Sequence, residues 1–417
     1  MGSTSGRQAA MPFIMVTVLL DMMSIGIIAP VLPKLIGSFM DSGAGTSFAY
    51  GAAQAAFAIA QFFSAPVLGA LSDRYGRRPV LLLGLVGMAI NFFVTALASA
   101  FWMLLAVRIM GGAMCANIAV ANAYVADITE PKDRAKNYGL LGAMFGLGFI
   151  LGPVMGGVLG DIDVHWPFFL AGSLTLLNAV YGYFVLPESL PLERRREFKL
   201  LSTNPFSSLA RLRQLKGVEQ LMWVMGLSIL AQFCLHTIWF LYTEFKFGWT
   251  PKDNGYSLFV VGLMAVIVQG GLLRQFQKHI PLHRLVSIGL ISSTLCYFAY
   301  GAVPQGWMMY IIIVVNVFGY MVQPGLQSLV ANAVDPSRQG ESMGAVSSLN
   351  SIAAMLGPIL AAPLLAVASS YPQGDWRIGI PFYLCALIQG VAAIIGFRYF
   401  SRTRHAHDAA LAGRAQA

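Results

Sequence analysis

The chain has 417 residues, of which 57% are hydrophobic and 11% are charged, and its mean hydropathy is +0.68. Soluble domains carry about 25% charged residues, so this composition excludes an ordinary soluble protein. The formal net charge of +9 comes from basic residues between apolar runs, which a membrane topology explains without nucleic acid as a partner.

Twelve apolar runs are separated by short charged breaks. A hydrocarbon core about 30 Å thick requires roughly 20 apolar residues per helix, and the runs lack the alternation of a β-barrel. We therefore predict an all-α membrane protein with twelve transmembrane helices near residues 11–36, 48–71, 79–99, 101–128, 135–160, 165–187, 218–246, 253–276, 281–303, 306–334, 338–368 and 375–400.

The basic residues predict the orientation of these spans. Of 27 basic residues, 22 lie at the termini or in the even-numbered loops, and Arg108 lies in or at the edge of a span. Only four lie in the odd-numbered loops: Lys34, Lys246, Lys252 and Arg377. Positive loops stay in the cytoplasm, so we expect a multi-pass protein of the cytoplasmic (inner) membrane with both termini in the cytoplasm.

The first span contains Asp21, the one acidic residue of 18 that lies well inside a predicted helix. An ionised side chain there costs at least about 2.5–3.5 kcal/mol unless it is paired or faces water. Such a group can bind a proton in one conformation and release it in another. A structural aspartate that bonds to helix hydroxyls is the alternative.

The loop after the second span, residues 69–79, packs one acid and three bases between two membrane helices. These charges are too close to act separately, so we expect them to pair with each other and with nearby helix ends. The predicted cytoplasmic gating residues of this loop are Gly69, Asp73, Arg74, Gly76, Arg77 and Arg78.

Three short sequences recur in the same order a little over 200 residues apart. They begin at Ala121, Gly152 and Pro167, and return at Ala331, Gly357 and Pro381. The repeats predict an N-terminal six-helix bundle (1–187), a cytoplasmic linker (188–217), a C-terminal six-helix bundle (218–400) and a cytoplasmic tail (401–417). Six-helix parallel repeats are typical of transporters that bind solute near the midplane. The chain has no Gly-Lys pair, which excludes a phosphate-binding loop for ATP.

The 69–79 loop resembles the signature of the major facilitator superfamily, and residues 108–112 and 148–157 resemble two further motifs of that superfamily, the latter the antiporter motif. Glycines four residues apart share one helix face and permit close helix approach, and proline can bend the helix. The antiporter-motif residues are Gly148, Gly152, Pro153 and Gly156.

Within the superfamily the chain resembles the tetracycline-efflux branch of drug:proton antiporters, through residues 20–33, 126–129, 166–169, 186–189 and 338–340. The resemblance implies that Asp21 couples transport to protons and that Arg108 contributes to coupling or helix organisation. It also implies that Asp127 joins Arg77 in a charge cluster that stabilises the outward-open state. Arg108 could instead pair with Asp21, bind an anionic solute or extend to the interface, and Asp127 could cap the following loop.

Amides and aromatic residues in the apolar runs suggest a polar but uncharged pocket for a small-molecule substrate. The substrate-binding candidates are Gln54, Phe57, Asn91, Asn117, Gln232, Trp239, Gln323, Gln327 and Asn350. His236 in the seventh span is a further proton-coupling candidate because imidazoles titrate near neutral pH. A hydrogen-bonded structural histidine is the alternative.

The chain departs from the tetracycline pumps at three positions. Ionisable groups stand in the third, eighth and ninth spans of those pumps, where this chain has Asn91, Ala265 and Ser293. Tetracycline recognition and proton stoichiometry therefore do not transfer from the resemblance.

We predict a monomeric secondary transporter that exports a small amphipathic drug-like compound or metabolite in exchange for protons, without a cofactor or a metal site. An importer or facilitator with the same fold is the alternative. The four scattered cysteines are expected to be buried thiols. The sequence has no metal-ligand cluster and no nucleophile–base set, which argues against an enzyme.

Overall fold

A computed structural model describes residues 4–115, 117–129, 133–195, 218–334, 339–372 and 374–415. Within these ranges the regular structure is helical, with no β-strand. The helices are α1 (Thr4–Ile28), α2 (Leu32–Gly37), α3 (Gly43–Tyr75), α4 (Arg77–Ala96), α5 (Phe101–Met114), α6 (Asn117–Ile128), α7 (Arg134–Ile162), α8 (Trp166–Val185), α9 (Glu219–Phe247), α10 (Pro251–Ile267), α11 (Leu273–Gln277), α12 (Leu282–Ala302), α13 (Trp307–Val315), α14 (Val322–Ala333), α15 (Gln339–Ala368) and α16 (Ile380–Ala415).

Most predicted spans appear as single helical segments. Ten segments of the described chain are long and apolar enough to cross a membrane, and the pair Trp307–Val315 and Gly319–Ala333, bent by 52°, makes an eleventh. The predicted fourth span is divided between α5 and α6. The all-α membrane fold is thus confirmed. The fourth and tenth spans differ from the continuous helices that the sequence predicts, the first span is divided between α1 and α2, and the eighth contains a π-helical turn at Val268–Leu272.

The described residues form two compact units. Unit 1 contains the described residues up to 195 together with Phe240–Leu263. Unit 2 contains residues 218–239 and the described residues from Met264 onward. The bundle boundaries drawn from the sequence repeats remain a prediction, and residues 196–217 of the predicted linker lie outside the described residues.

Within unit 1, glycines allow α7 to lie directly against α1. A Cβ added at Gly148 would lie 2.8 Å from the Leu19 carbonyl oxygen, and one added at Gly152 would lie 2.6 Å from the Met23 carbonyl oxygen. A Cβ at Gly156 would overlap the carbonyl oxygen of Ile27. Only hydrogen fits at these positions, which is how small residues bring helix backbones together in membranes.

The far end of α7 contacts the beginning of α10, also within unit 1. The Asp161 carboxylate accepts a hydrogen bond from the Thr250 hydroxyl at 3.2 Å and one from the Lys252 backbone amide at 3.4 Å. A Cβ at Gly157 would lie 3.2 Å from the Cα of Gly255. The glycines of α7 therefore serve two interfaces, one with α1 and one with α10.

Unit 2 has its own apolar core, formed by residues of α9, α12, α14, α15 and α16. An aromatic cluster adjoins it: the Trp239 ring centroid lies 5.1 Å from Tyr300 and 6.2 Å from Phe382. In the loop before α16, the hydrogen bond from the Arg377 guanidinium keeps the pKa of the Asp375 carboxyl below its ordinary value.

Candidate functional site

The centre of the predicted gating region is the side chain of Arg77 at the start of α4. Its guanidinium contacts Asp73 at 2.6 Å and Asp127 at 3.2 Å, and it donates to the Ser72 hydroxyl at 2.6 Å. The Ser72 hydroxyl in turn donates to the Gly69 carbonyl at 2.7 Å. Arg77 is only 11% exposed, so its two carboxylate partners act with reduced solvent screening.

Glu188, which follows α8 and lies 111 residues after Arg77 in the sequence, also belongs to this cluster. Its carboxylate accepts hydrogen bonds from the backbone amides of Arg77 at 2.8 Å and Arg78 at 3.3 Å. These are unsatisfied amides of the first turn of α4, where a negative charge is favoured by the helix dipole. Ser189 donates to Asp127 at 3.2 Å. The first residues of the predicted linker are thus bound to the gating loop.

The remaining gating candidates have separate positions. Gly76 joins α3 to α4 with φ +108°, and a Cβ there would overlap the Glu188 carboxylate, so glycine is required both for the turn and for the contact. Arg78 donates to the Tyr183 carbonyl and lies over the Tyr183 ring. Arg74 lies over the Tyr75 ring, 5.1 Å from its centroid. Neither arginine forms an ion pair among those seen in the described residues.

Asp21 lies in the part of α1 that packs against α7. It is 6% exposed and therefore enclosed in this conformation. A Cβ at Gly148 would lie 2.9 Å from the Met23 backbone nitrogen, which shows how closely α7 approaches this turn. The Asp21 carboxyl is also near enough to the Cys115 thiol to interact with it electrostatically. Asp21 is expected from the sequence to reach water, and that access stays a prediction.

Arg108 is a second enclosed charge of unit 1, at 9% exposure. Its guanidinium lies 5.6 Å from the centroid of the Phe57 ring and interacts electrostatically with Tyr50 and Cys115. Its Nε is buried and has no hydrogen-bond partner among the described residues. Asp21 and Arg108, the two proton-coupling candidates of unit 1, are therefore both enclosed.

The predicted substrate residues of unit 1 divide into two environments. Gln54 is half-buried and donates to the Tyr50 hydroxyl at 3.2 Å, and Phe57 is half-buried beneath Arg108. Asn91 is 5% exposed, and a Cβ at Gly111 would lie 2.7 Å from its Oδ1. Asn91 therefore belongs to the packing between α4 and α5. The side chain of Asn117 lies outside the described residues.

The predicted residues of unit 2 also differ in exposure. His236 is exposed although it lies near the middle of the apolar α9, and its ring contacts Phe233 at 6.2 Å. Trp239, by contrast, is enclosed in the aromatic cluster. Gln327 is exposed, Gln232 and Gln323 are half-buried, and Asn350 donates to the Val346 carbonyl of its own helix at 3.0 Å.

Sequence analysis did not identify three residues of unit 1 whose side chains bind other candidate residues or the backbone near them. Glu188 and Ser189 were visible only as part of the 186–189 resemblance, and nothing local indicates that they reach a loop more than 100 residues earlier. Gln61, which donates to the Cys115 carbonyl at 3.1 Å, was one amide among many in the apolar runs. Among the described residues, no group of three or more His, Cys, Asp or Glu side chains could bind a metal ion.

Comparisons with known proteins show which family this chain resembles. The family model described as Major Facilitator Superfamily matches residues 14–358 and 280–416. The chain is 37% identical to the class C tetracycline resistance protein of Escherichia coli, over 91% of this chain and 95% of that protein.

Two solved structures share the fold. The human organic anion transporter MFSD10 (TETRAN) matches with a TM-score of 0.69 and 25% identity, covering 94% of this chain and 99% of that chain. The nucleoside transporter NupG matches with a TM-score of 0.74 and 14% identity, covering 94% of this chain and 99% of that chain. The latter likeness concerns the fold alone.

Proposed function

Because the chain belongs to the major facilitator superfamily, we propose that it is a proton-coupled antiporter that exports a small amphipathic compound across the cytoplasmic membrane. Like its relatives it is a multi-pass membrane transporter rather than an enzyme. Its similarity to tetracycline resistance proteins supports efflux and makes tetracycline the first substrate to test. We further propose that the protein is a monomer and that both of its termini lie in the cytoplasm.

The observation that carries the coupling proposal is the Asp21 carboxyl, enclosed at 6% exposure in the apolar α1. Inside a membrane span, the ionised and protonated forms of a carboxyl differ in free energy, and the difference depends on whether the group is enclosed or reaches water. Binding a proton therefore changes the free energy of conformations that enclose this group relative to conformations in which water reaches it. A proton drives transport only through such a difference between two states.

The Arg77 cluster provides the cytoplasmic gate in this proposal. Its contacts with Asp73, Asp127 and Ser72, and the Glu188 bonds to the same helix end, bind four segments of unit 1 together. We propose that this cluster stabilises the conformation that is closed to the cytoplasm. In unit 1, the substrate then binds to polar and aromatic residues that packing leaves partly open, such as Gln54 and Phe57.

The test measures proton movement in everted membrane vesicles with an acidified lumen. Adding tetracycline should release protons from the lumen, and Asp21→Asn should abolish that release while Asp21→Glu retains part of it. Asp163→Asn is the matched control, because that acid lies in a loop and accepts a local hydrogen bond from the His165 amide at 2.7 Å. Normal proton release by Asp21→Asn would refute the coupling role.

An importer or facilitator is the second candidate. The specific observation in its favour is that Asn91, Ala265 and Ser293 are uncharged where the pumps it resembles have ionisable groups. Counterflow of solute in proteoliposomes without a pH gradient, at the same rate as with one, would favour this alternative.

A further inference from the structure

In the described part of the chain, the fourth and the tenth predicted spans, one in each unit, both leave helical geometry within the span. The fourth span leaves helical geometry at Cys115 (φ −83°, ψ 57°), between α5 and α6. The tenth leaves it at Asn316 (φ −73°, ψ 34°), between α13 and the turn that precedes α14. Neither break has a proline, the usual cause of a kink. Matching breaks in two related halves of a transporter indicate functional positions.

At the first break, a side chain from another helix binds the backbone. Gln61 of α3 donates from Nε2 to the Cys115 carbonyl at 3.1 Å. Backbone groups freed inside a membrane must find partners within the protein, because lipid offers none. The Gln61 amide satisfies the Cys115 carbonyl and at the same time ties the break to α3.

The segment before the break is fixed by close packing. A Cβ at Gly112 would overlap the Phe57 carbonyl oxygen of α3, and one at Gly111 would meet Asn91 of α4. The end of α5 is therefore packed closely against α3 and α4. Arg108 lies two turns or less before the break, on this fixed segment.

The segment after the break is fixed to the cytoplasmic cluster. Tyr124 of α6 is completely buried and donates to the Pro187 carbonyl at 2.7 Å. Asp127, one turn further, contacts Arg77 at 3.2 Å. The fourth span thus joins the surroundings of Arg108 to the gating cluster, and the break at Cys115 lies between them.

Unit 2 has a related contact at its break, although there the bond goes to a side chain rather than to the backbone. Ser292 of α12 donates to the Asn316 side chain at 3.1 Å, again from a neighbouring helix to the residue at the break. A Cβ at Gly289, one turn earlier on α12, would lie 2.5 Å from the Phe318 carbonyl oxygen. The same combination of a polar bond and a glycine contact therefore surrounds both breaks.

We infer that Gln61 is a positioning residue that sets the angle between α5 and α6 at Cys115. This angle determines where Arg108 lies relative to the Asp127–Arg77 gate. Ser292 has the same role for α13 and α14. The inference rests on the proposed transport function, since a set angle matters only if the span bends during a cycle. Gln61 acts through the break and contacts no substrate in this role.

The first test needs no substrate. In purified protein, amide hydrogen exchange should become about 10-fold faster over residues 112–121 in Gln61→Leu, because the half-buried Cys115 carbonyl loses its side-chain donor and the break opens more often. Gln61→His, whose Nε2–H reaches about as far, should restore slow exchange. Gln389→Leu is the control: Gln389 is a buried amide of α16, 2% exposed, far in sequence from either break. Unchanged exchange in Gln61→Leu would overturn the inference.

The second test separates positioning from binding. With tetracycline as the probe in everted vesicles, Gln61→Leu should lower Vmax about 10-fold and change KM less than twofold, with recovery in Gln61→His. A raised KM at unchanged Vmax would assign Gln61 to the binding site and contradict the inference. If the unsubstituted protein exports neither tetracycline nor any other compound that raises its melting temperature, the proposed function fails, while the exchange result still decides the role of Gln61.

The third test uses unit 2 and does not depend on Gln61 variants folding. Ser292→Ala should speed exchange over residues 313–322. Thr294→Val is its matched control, because Thr294 lies two residues away and its hydroxyl donates to the Leu290 carbonyl of its own helix, at 2.8 Å. Equal effects of the two substitutions would refute a role for Ser292 at the break.

Discussion

At the scale of single residues, the cytoplasmic cluster depends on a few charges whose partners are far apart in the chain. Arg77 is 11% exposed and Asp127 is 24% exposed, so the burial of this ion pair is intermediate between that of a surface pair and that of a buried pair. Removing one partner of a buried pair is much more harmful than removing one on the surface. Asp73 offers Arg77 a second carboxylate, which limits the damage when either acid is lost.

Glu188 gives the clearest residue-scale prediction. Glu188→Ala should destabilise the protein by about 1 kcal/mol, because the first amides of α4 lose their acceptor and the helix dipole loses its compensating charge. In a protein of this size the melting temperature should fall by roughly 2 °C. The measurement is thermal unfolding of purified protein followed by intrinsic fluorescence.

The control for Glu188 is Glu193→Ala. Glu193 is exposed five residues further along the same segment, where substitutions usually change stability by less than about 0.5 kcal/mol. An equal loss of stability in both variants would mean that the capping contact contributes nothing of its own.

At the scale of helices, the glycine face of α7 decides how closely α1 approaches. Gly156→Ala places a methyl group onto the Ile27 carbonyl oxygen, so the helices must separate. Overpacking of this kind costs about 1–3 kcal/mol, more than the stabilisation of up to about 1 kcal/mol that alanine brings to a helix. We expect lower thermal stability and reduced transport.

A second glycine of α7 provides the control for Gly156→Ala. Gly146 of α7 has open space around its Cβ position, with no atom within 4 Å. Gly146→Ala should therefore leave stability unchanged or slightly raised when measured in the same thermal scan. Equal destabilisation by the two substitutions would show that helix propensity, rather than contact with α1, decides the result.

The helices also show what sequence could and could not predict. Apolar length and charge placement predicted most spans, because the bilayer constrains every spanning helix in the same way. The breaks at Cys115 and Asn316 were not predicted, since neither carries proline and both depend on side chains of other helices. The Glu188 contact was missed for the same reason: a helix cap supplied from 111 residues away leaves no local signal.

The candidate site was predicted unevenly. Motif residues such as Arg77 and Asp127 were identified by resemblance, and they lie in contact. Amides such as Asn91 and aromatics such as Trp239 were chosen by polarity or ring type within apolar runs, and both are enclosed by packing. Composition shows that a polar residue is inside the membrane, but only tertiary structure shows whether it faces a cavity.

At the scale of the whole molecule, the basic residues predict the orientation of the chain in the membrane. A thiol reagent that cannot cross membranes should label a cysteine introduced at Asp163 in intact cells, because that loop is predicted to face outward. A cysteine introduced at Ala409 in the tail should be labelled only after the membrane is opened. The reverse pattern would invert the topology and would place the Arg77 cluster on the outer face.

The most direct measurement of the central claim is solute accumulation in proteoliposomes under an imposed pH gradient. The probe is the compound, from a panel that includes tetracycline, that raises the melting temperature of the purified protein most. The account predicts accumulation above equilibrium only while the gradient persists, and collapse to equilibrium when a protonophore is added. Equilibration at the same rate and to the same level with and without the gradient would contradict proton-coupled antiport.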